Sequence, residues 1–181
     1  MAINPDKSRR ETIHPEKKSA SGCIAVLGLG NILLSDEGVG VHVVNILKER
    51  YAFPPEVSII DGGTMGLDLL PIFQESDRIL IIDAADFRKP SGYVGTVEGD
   101  AIAAVLNTKL SVHHIGLADL LFTAKLMRET PLELHLVGIQ PHSLDVGITL
   151  SDQILSKMDM IIELTVRKLE DWNVALDLRL F

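Results

Sequence analysis

"IAVLGLGNILLSDEGVG", residues 24–40, passes from an apolar run to glycines, then to two adjacent acids and further glycines. A short apolar run that ends in glycine and leads into helical spacing predicts a buried strand followed by a helix. Ser35 or Asp36 is placed to cap this helix. Its predicted apolar stripe comprises Val39, Val43, Ile46 and Leu47. This strand and helix predict an α/β fold.

The remaining chain continues the alternation of strands and helices. Apolar runs predict buried strands at residues 57–61, 78–84 and 133–139, and helical spacing recurs at residues 66–73, 117–124 and 154–169. The segment "GYVGTVEG", residues 92–99, alternates apolar and polar side chains and follows a strand without an intervening helix. That pattern predicts an antiparallel edge strand. We therefore predict a three-layer α/β/α sandwich around a mostly parallel sheet, with no internal repeat.

The composition limits the classes of function. The chain has 181 residues, which suits one domain, and a formal net charge of -8, which disfavours broad contact with nucleic acid or anionic lipid. No apolar run reaches the roughly 18 residues that a membrane helix needs. The single cysteine, Cys23, suits a reducing compartment. Its position at the start of a strand predicts a buried thiol.

The first 22 residues are polar and charged, with neither helical nor strand periodicity. Arg9 and Arg10 would begin a twin-arginine export signal only if an apolar stretch followed them, but mainly polar and charged residues follow. We predict a disordered tail at residues 1–22, a single domain at residues 23–181 and a cytoplasmic protein.

Polar residues interrupt the apolar runs where the predicted strands end. The carboxyl ends of parallel strands meet at one edge of a sheet, and ligands bind there. This edge should carry the glycine loop at 28–37, the segment 61–64, Asp83 and residues 140–141. Asp83 directly follows "ILII", where a carboxylate is costly unless it is solvated, hydrogen-bonded or bound to a cation. Its alternative role is to cap the following turn.

The glycine loop departs from the phosphate-binding motifs. Gly28 and Gly30 have the G-x-G spacing of a dinucleotide site, but Leu33 replaces the third glycine, and no Gly-Lys-Ser/Thr follows. Asp36 and Glu37 would also place negative charge where such a site holds phosphate. The two acids could instead stabilise the helix start through its dipole, which leaves their position at a strand's carboxyl end unexplained.

Two adjacent histidines, His113 and His114, lie between a polar loop and an amphipathic helix. A single histidine in such a place more often caps or packs than binds a metal. Neutral imidazole nevertheless complements carboxylate oxygens around a divalent transition metal. Glu37, Asp83 and a histidine, drawn from three loops, therefore form a candidate metal-binding set.

Five segments, in this order, resemble those of the [NiFe]-hydrogenase maturation endopeptidases: "GLGNILLSDEGVG", "DGGTMGLDLL", "ILIIDAAD", "SVHHIGLADLL" and "LVGIQPHSLDVGITLS". The resemblance runs from about Cys23 to the closing helix. It implies a phosphorylase/hydrolase-like sandwich with a five-stranded, mostly parallel sheet that carries one antiparallel strand. It also implies an endopeptidase that removes the C-terminal extension of a hydrogenase large-subunit precursor after nickel insertion.

The resemblance assigns roles to individual residues. It implies that Glu37, Asp83 and His113 contact nickel that the precursor supplies, and that the enzyme is a monomer without a tightly bound metal of its own. Glu37 or Asp83, or a nickel-polarised water, would then activate hydrolysis, an aspartic-type reaction if a carboxylate does so. Gly28 and Gly30 would let the backbone approach a bulky peptide. The supporting residues are Gly28, Gly30, Asn31, Asp36, Asp61, Thr64 and His114, of which Asp61 and Thr64 would brace the adjoining loop.

Three other classes of protein share some of these features. Peptidyl-tRNA hydrolases also begin with a strand and "GLGN", but they continue with Pro-Gly and a Thr-Arg-His-Asn segment that this sequence lacks. A non-enzymatic nucleotide-binding module would need the acids of the loop to turn away from it. Germination proteases share the general architecture, but the candidate metal-binding set disfavours that assignment.

Overall fold

The structure is a computed structural model that describes residues 22–106 and 116–179. Its strands are β1 (Ile24–Leu29), β2 (Tyr51–Ala52), β3 (Val57–Gly63), β4 (Arg78–Ala84), β5 (Val94–Glu98), β6 (Glu133–Ile139) and β7 (Asp177–Leu178). Its α-helices are α1 (Val39–Arg50), α2 (Leu70–Glu75), α3 (Ile102–Leu106), α4 (Leu117–Met127), α5 (Asp152–Leu155) and α6 (Met158–Asp171). No helix in those two ranges combines the length and the apolar character needed to cross a bilayer.

Five of the described strands form one sheet in the order β3-β1-β4-β6-β5. The pairs β1–β3, β1–β4 and β4–β6 are parallel, whereas β5 runs antiparallel to β6 at the edge. The predicted α/β sandwich with one antiparallel strand is confirmed. Because the four parallel strands point the same way, the chain leaves each of them at the same edge of the sheet.

Helices cover both faces of the sheet, and each face has its own apolar cluster. On one face, Val26 of β1 and Leu80 of β4 belong to the same cluster as residues of α1 and α6. On the other face, Leu27 and Ile81 join residues of α2 and α4. All six residues of β1 are buried, which explains why this strand is an unbroken apolar run instead of an alternating one.

The structure differs from the prediction in short or terminal features. The predicted closing helix is two helices, α5 and α6, with Ser156 and Lys157 between them. The helix α3 and the pairing of β2 with β7 were not predicted, because two-residue strands and a five-residue helix have too little periodicity to detect.

Cys23 is exposed, so the predicted buried thiol is wrong. The strand β1 begins one residue later, and Cys23 lies at the amino edge of the sheet. Its carbonyl oxygen accepts hydrogen bonds from the backbone N–H groups of Asp77 and Arg78, at 2.9 and 3.3 Å. The backbone of Cys23 is therefore tied to the sheet while its side chain reaches solvent.

Candidate active site

The glycine loop connects β1 to α1 through two turns. Gly30 has a φ of +118°, a backbone conformation that favours glycine, and it turns the chain away from the end of β1. A 3₁₀ turn at Ser35–Gly38 follows and leads directly into α1. This turn packs against β4, so its acids lie beside the strand that carries Asp83.

The glycines of this loop serve the packing of the chain against itself. A Cβ atom at Gly28 would overlap the carbonyl oxygen of Gly40 in α1, and one at Gly30 would overlap the carbonyl oxygen of Glu37. The expectation that Gly28 and Gly30 leave room for a bulky peptide is therefore wrong, because the start of α1 fills that space. The carbonyl oxygen beside Gly30 is also an unfavourable neighbour for phosphate.

Asp36 does not cap α1, and neither does Ser35. The residue before α1 is Gly38, and no side chain caps the helix there. The Asp36 carboxylate is fully buried and accepts four hydrogen bonds from the segment that follows β6. The donors are the backbone N–H of His142 at 3.0 Å, that of Ser143 at 2.8 Å, that of Ser151 at 2.7 Å and the Ser151 hydroxyl at 2.9 Å.

These hydrogen bonds keep Asp36 ionised inside the protein. Burial alone would raise the pKa of its carboxyl, but the donors from Ser151, Ser143 and His142 outweigh burial and hold the pKa below its ordinary value. Asp36 is thus the buried anchor that joins the glycine loop to residues 142–151. The family resemblance includes residues 142–151, but the sequence does not predict their contact with Asp36, although Ser143 and Asp145 in "HSLD" are a local signal for a hydrogen-bonded turn.

Glu37 and Asp83 come together at the carboxyl edge of the sheet. Asp83 lies in β4 opposite Gly138 of β6, and its Oδ1 accepts a hydrogen bond from the Ala84 N–H at 2.8 Å. Burial raises the pKa of Asp83 to about 8, and the nearby negative charge of Glu37 contributes in the same direction. One oxygen of Glu37, Oε2, is itself buried.

This pair has the properties expected of a cation-binding or catalytic site. With a pKa of about 8, Asp83 is mostly protonated at pH 7 in the free protein. A divalent cation between the two side chains would compensate both charges and displace that proton. A carboxyl group whose pKa is shifted as strongly as that of Asp83 is also typical of residues that transfer protons in catalysis.

The third member of the predicted metal set, His113, lies outside the described residues, and so does its neighbour His114. In the described ranges 22–106 and 116–179, no three His, Cys, Asp or Glu side chains converge closely enough to hold a metal ion. Glu37 lies near enough to Asp83 for its charge to act on that carboxyl, and the predicted metal-binding set stays a prediction.

The remaining supporting residues line the neighbouring turns. Oδ1 of Asn31 accepts a hydrogen bond from the Leu33 N–H at 3.0 Å, within the glycine loop. Oδ1 of Asp61 accepts one from the Gly63 N–H at 3.1 Å, where β3 ends. Thr64 is exposed next to that turn. Their supporting roles stay predictions.

Comparison with known proteins places this arrangement in a family. The family model described as HycI, hydrogenase maturation protease, matches residues 41–168. The hydrogenase expression/formation protein HupD of Rhodobacter capsulatus is 38% identical over 153 residues, which cover 83% of this chain and 73% of that protein. The hydrogenase 2 maturation protease of Escherichia coli K12 is 37% identical over 152 residues, which cover 83% of this chain and 93% of that protein.

The fold gives the same result. The hydrogenase maturating endopeptidase HybD from Escherichia coli superimposes with a TM-score of 0.82 at 35% identity, over 87% of this chain and 98% of that structure. The family match, the identities and the shared fold together show that this chain belongs to the hydrogenase maturation protease family and is a protease, hence a hydrolase.

Proposed function

We propose that this protein is the endopeptidase that removes the C-terminal extension of a [NiFe]-hydrogenase large-subunit precursor once that precursor carries nickel. The observation that carries the proposal is the pairing of Glu37 with Asp83, whose pKa is raised to about 8, at the ligand-binding edge of the sheet. Membership of the maturation protease family supplies the substrate class.

In this proposal the nickel of the precursor is the recognition signal. Glu37 and Asp83 provide carboxylate oxygens, and His113 provides an imidazole nitrogen, to complete a coordination sphere that the precursor has begun. Asp83 loses its proton when the cation binds. Without nickel these coordination contacts are missing, so we expect nickel-free precursor to bind poorly. This coupling makes proteolysis conditional on nickel loading and requires no metal held tightly by the enzyme itself.

Hydrolysis adds one water molecule across the scissile peptide bond. The water oxygen bonds to the carbonyl carbon, the C–N bond breaks, and the leaving amine takes up a proton. A carboxylate of the pair, or the polarisation of the water by nickel, supplies the activation. We also propose that the protein acts in the cytoplasm as a monomer, as the single cysteine and the family resemblance suggest.

The test uses purified protein with nickel-loaded and nickel-free precursor, and follows the decrease in precursor size by electrophoresis and mass spectrometry. We expect cleavage of the loaded precursor alone. Asp83→Ala and His113→Ala should abolish cleavage while circular dichroism stays native. Glu75→Gln, which neutralises an exposed carboxylate at the end of α2, is the matched control and should cleave normally.

Equal cleavage of both precursor forms would disprove the role of nickel. Undiminished cleavage by both alanine variants would disprove the roles of Asp83 and His113. Hydrolysis of an aminoacyl-tRNA analogue in place of the precursor would favour the esterase alternative.

A further inference from the structure

Exposed apolar side chains gather beside the Glu37–Asp83 pair. Ile32 and Leu33 of the glycine loop are 46% and 57% exposed, and Val146 and Ile148, after β6, are 89% and 70% exposed. We call these four residues the rim patch. Large aliphatic side chains that stay this exposed, side by side, are a typical mark of an interaction site.

The two halves of the rim patch are joined through their backbones. The Gly147 N–H donates to the carbonyl oxygen of Leu33 at 2.9 Å, and the Ser35 N–H donates to that of Gly147 at 2.8 Å. The Ser35 hydroxyl adds a bond to the carbonyl oxygen of Asp145 at 3.0 Å. Val146 and Ile148 flank Gly147, so they lie directly beside Leu33.

The rim patch is continuous with the candidate active site. A Cβ atom at Gly38 would lie 2.7 Å from the Cα atom of Ile32, so Ile32 packs on the residue that follows Glu37. The buried carboxylate of Asp36 holds the segment from His142 to Ser151 against the same turn. The patch is therefore fixed relative to Glu37 before any partner binds, and little ordering cost is added on binding.

The chemistry of the rim patch favours an apolar occupant. None of its four side chains is charged or polar. Asp145, next to Val146, forms two hydrogen bonds with Ser143. The Ser143 hydroxyl donates to Oδ2 of Asp145 at 2.9 Å, and the Asp145 N–H donates to the Ser143 hydroxyl oxygen at 3.2 Å. The four side chains themselves offer no charge to a basic or phosphorylated partner, whereas an aliphatic or aromatic side chain would bury apolar surface against them.

We propose that the rim patch is the docking surface for an apolar segment of the precursor that flanks the cleaved bond. This inference rests on the proposed function and deepens it. In this proposal the Glu37–Asp83 pair binds the nickel, and the rim patch binds the precursor chain beside it. Apolar contacts away from the metal would then add affinity for the precursor, in its ground state and its transition state alike.

The test compares the double variant Val146→Asp/Ile148→Asp with wild type in steady-state cleavage of nickel-loaded precursor. We expect KM to rise so that kcat/KM falls by about tenfold or more, with kcat nearly unchanged, because each aspartate replaces an apolar contact. The milder variant Val146→Ser/Ile148→Ser should show a smaller loss in the same direction. Both substituted side chains, Val146 and Ile148, are mostly exposed, so the melting temperature should stay close to that of wild type.

The control is Leu178→Asp in β7. Leu178 is 68% exposed, similar to Ile148, but β7 pairs with the strand that follows the far end of α1. This variant should cleave like wild type. An unchanged kcat/KM in both double variants, while wild type cleaves, would disprove the docking role of the rim patch and leave the proposed function intact.

Absence of cleavage by wild type would overturn the proposed function and the inference with it. Sedimentation of the enzyme alone distinguishes another occupant. If wild type dimerises and the double aspartate variant does not, the rim patch joins two copies of this chain, and the docking proposal is wrong.

Discussion

Asp36 and Glu37 are adjacent acids with opposite tasks. Asp36 is buried beneath four hydrogen-bond donors, and these keep the pKa of its carboxyl low despite its burial. The charge of Glu37 acts instead on Asp83, where, after burial, it helps to raise the pKa of that carboxyl to about 8. The site thus consists of an ionised anchor and a pair that disfavours double ionisation. The first stabilises the fold, and the second is the pair to which we assign cation binding in the proposed function.

We predict that Asp36→Asn lowers the free energy of unfolding by about 2–4 kcal/mol at pH 7, because an amide removes the charge and turns an NH₂ group toward donors. Urea unfolding measures this, with Asp177→Asn on the exposed β7 as the control. The pKa of Asp36 is lowered in the folded state, so its contribution is complete above its ordinary value of 3.8 and is lost as pH falls through the folded-state value.

The difference between wild type and Asp36→Asn should therefore shrink below about pH 4. A variant as stable as wild type at pH 7 would show that the four hydrogen bonds do not anchor the two loops.

The placement of α1 depends on glycines at its crossing with the sheet. A Cβ atom at Gly40 would overlap the carbonyl oxygen of Ile82 in β4 and would come within 2.6 Å of the Leu29 nitrogen. Small residues at this crossing let the start of α1 approach the ends of β1 and β4. That close approach brings the 3₁₀ turn, and with it Glu37, to the edge of the sheet.

We predict that Gly40→Ala destabilises the protein by about 3 kcal/mol or more, as overpacking of a rigid core does. Helix propensity alone predicts the opposite, a gain of about 1 kcal/mol. Thermal and urea unfolding measure whether Gly40→Ala lowers or raises the free energy of unfolding. Asn45→Ala, at an exposed position of the same helix, is the control and should stabilise slightly. A stabilising effect at both positions would refute the close crossing.

Considered as a whole, the molecule resembles many α/β proteins in placing its site outside the carboxyl ends of parallel strands. The loops after β1 and β6 and the end of β4 converge there, and desolvation of the half-buried Asp83 carboxyl raises its pKa. A cation that neutralises this edge should therefore stabilise the whole fold.

We predict that nickel, zinc or cadmium at micromolar to millimolar concentration raises the melting temperature of the free protein by several degrees, through preferential binding to the folded state. The measurement is calorimetry or differential scanning fluorimetry. Asp83→Asn should remove most of the increase, and Glu75→Gln should retain it. A melting temperature that none of the three ions changes would contradict metal binding at this edge of the sheet.

The order of the main strands and helices could be read from local periodicity, and so could the antiparallel edge strand. Each depends on which side chains a segment must bury, and a segment records that in its own residues. The sequence also indicated that Asp83 and the acids of the glycine loop would meet at one edge, because strand direction and order follow from the α/β pattern.

Tertiary structure decided what each edge residue does. Nothing local distinguishes Asp36 from Glu37, yet one contacts residues more than a hundred positions away and the other faces β4. The glycines at 28 and 30 fit a ligand loop in sequence, but the start of α1 occupies their space. Such assignments depend on contacts between distant segments. These contacts exist only after the layers pack, so burial, charge and hydrogen bonding at the site are properties of the assembled fold.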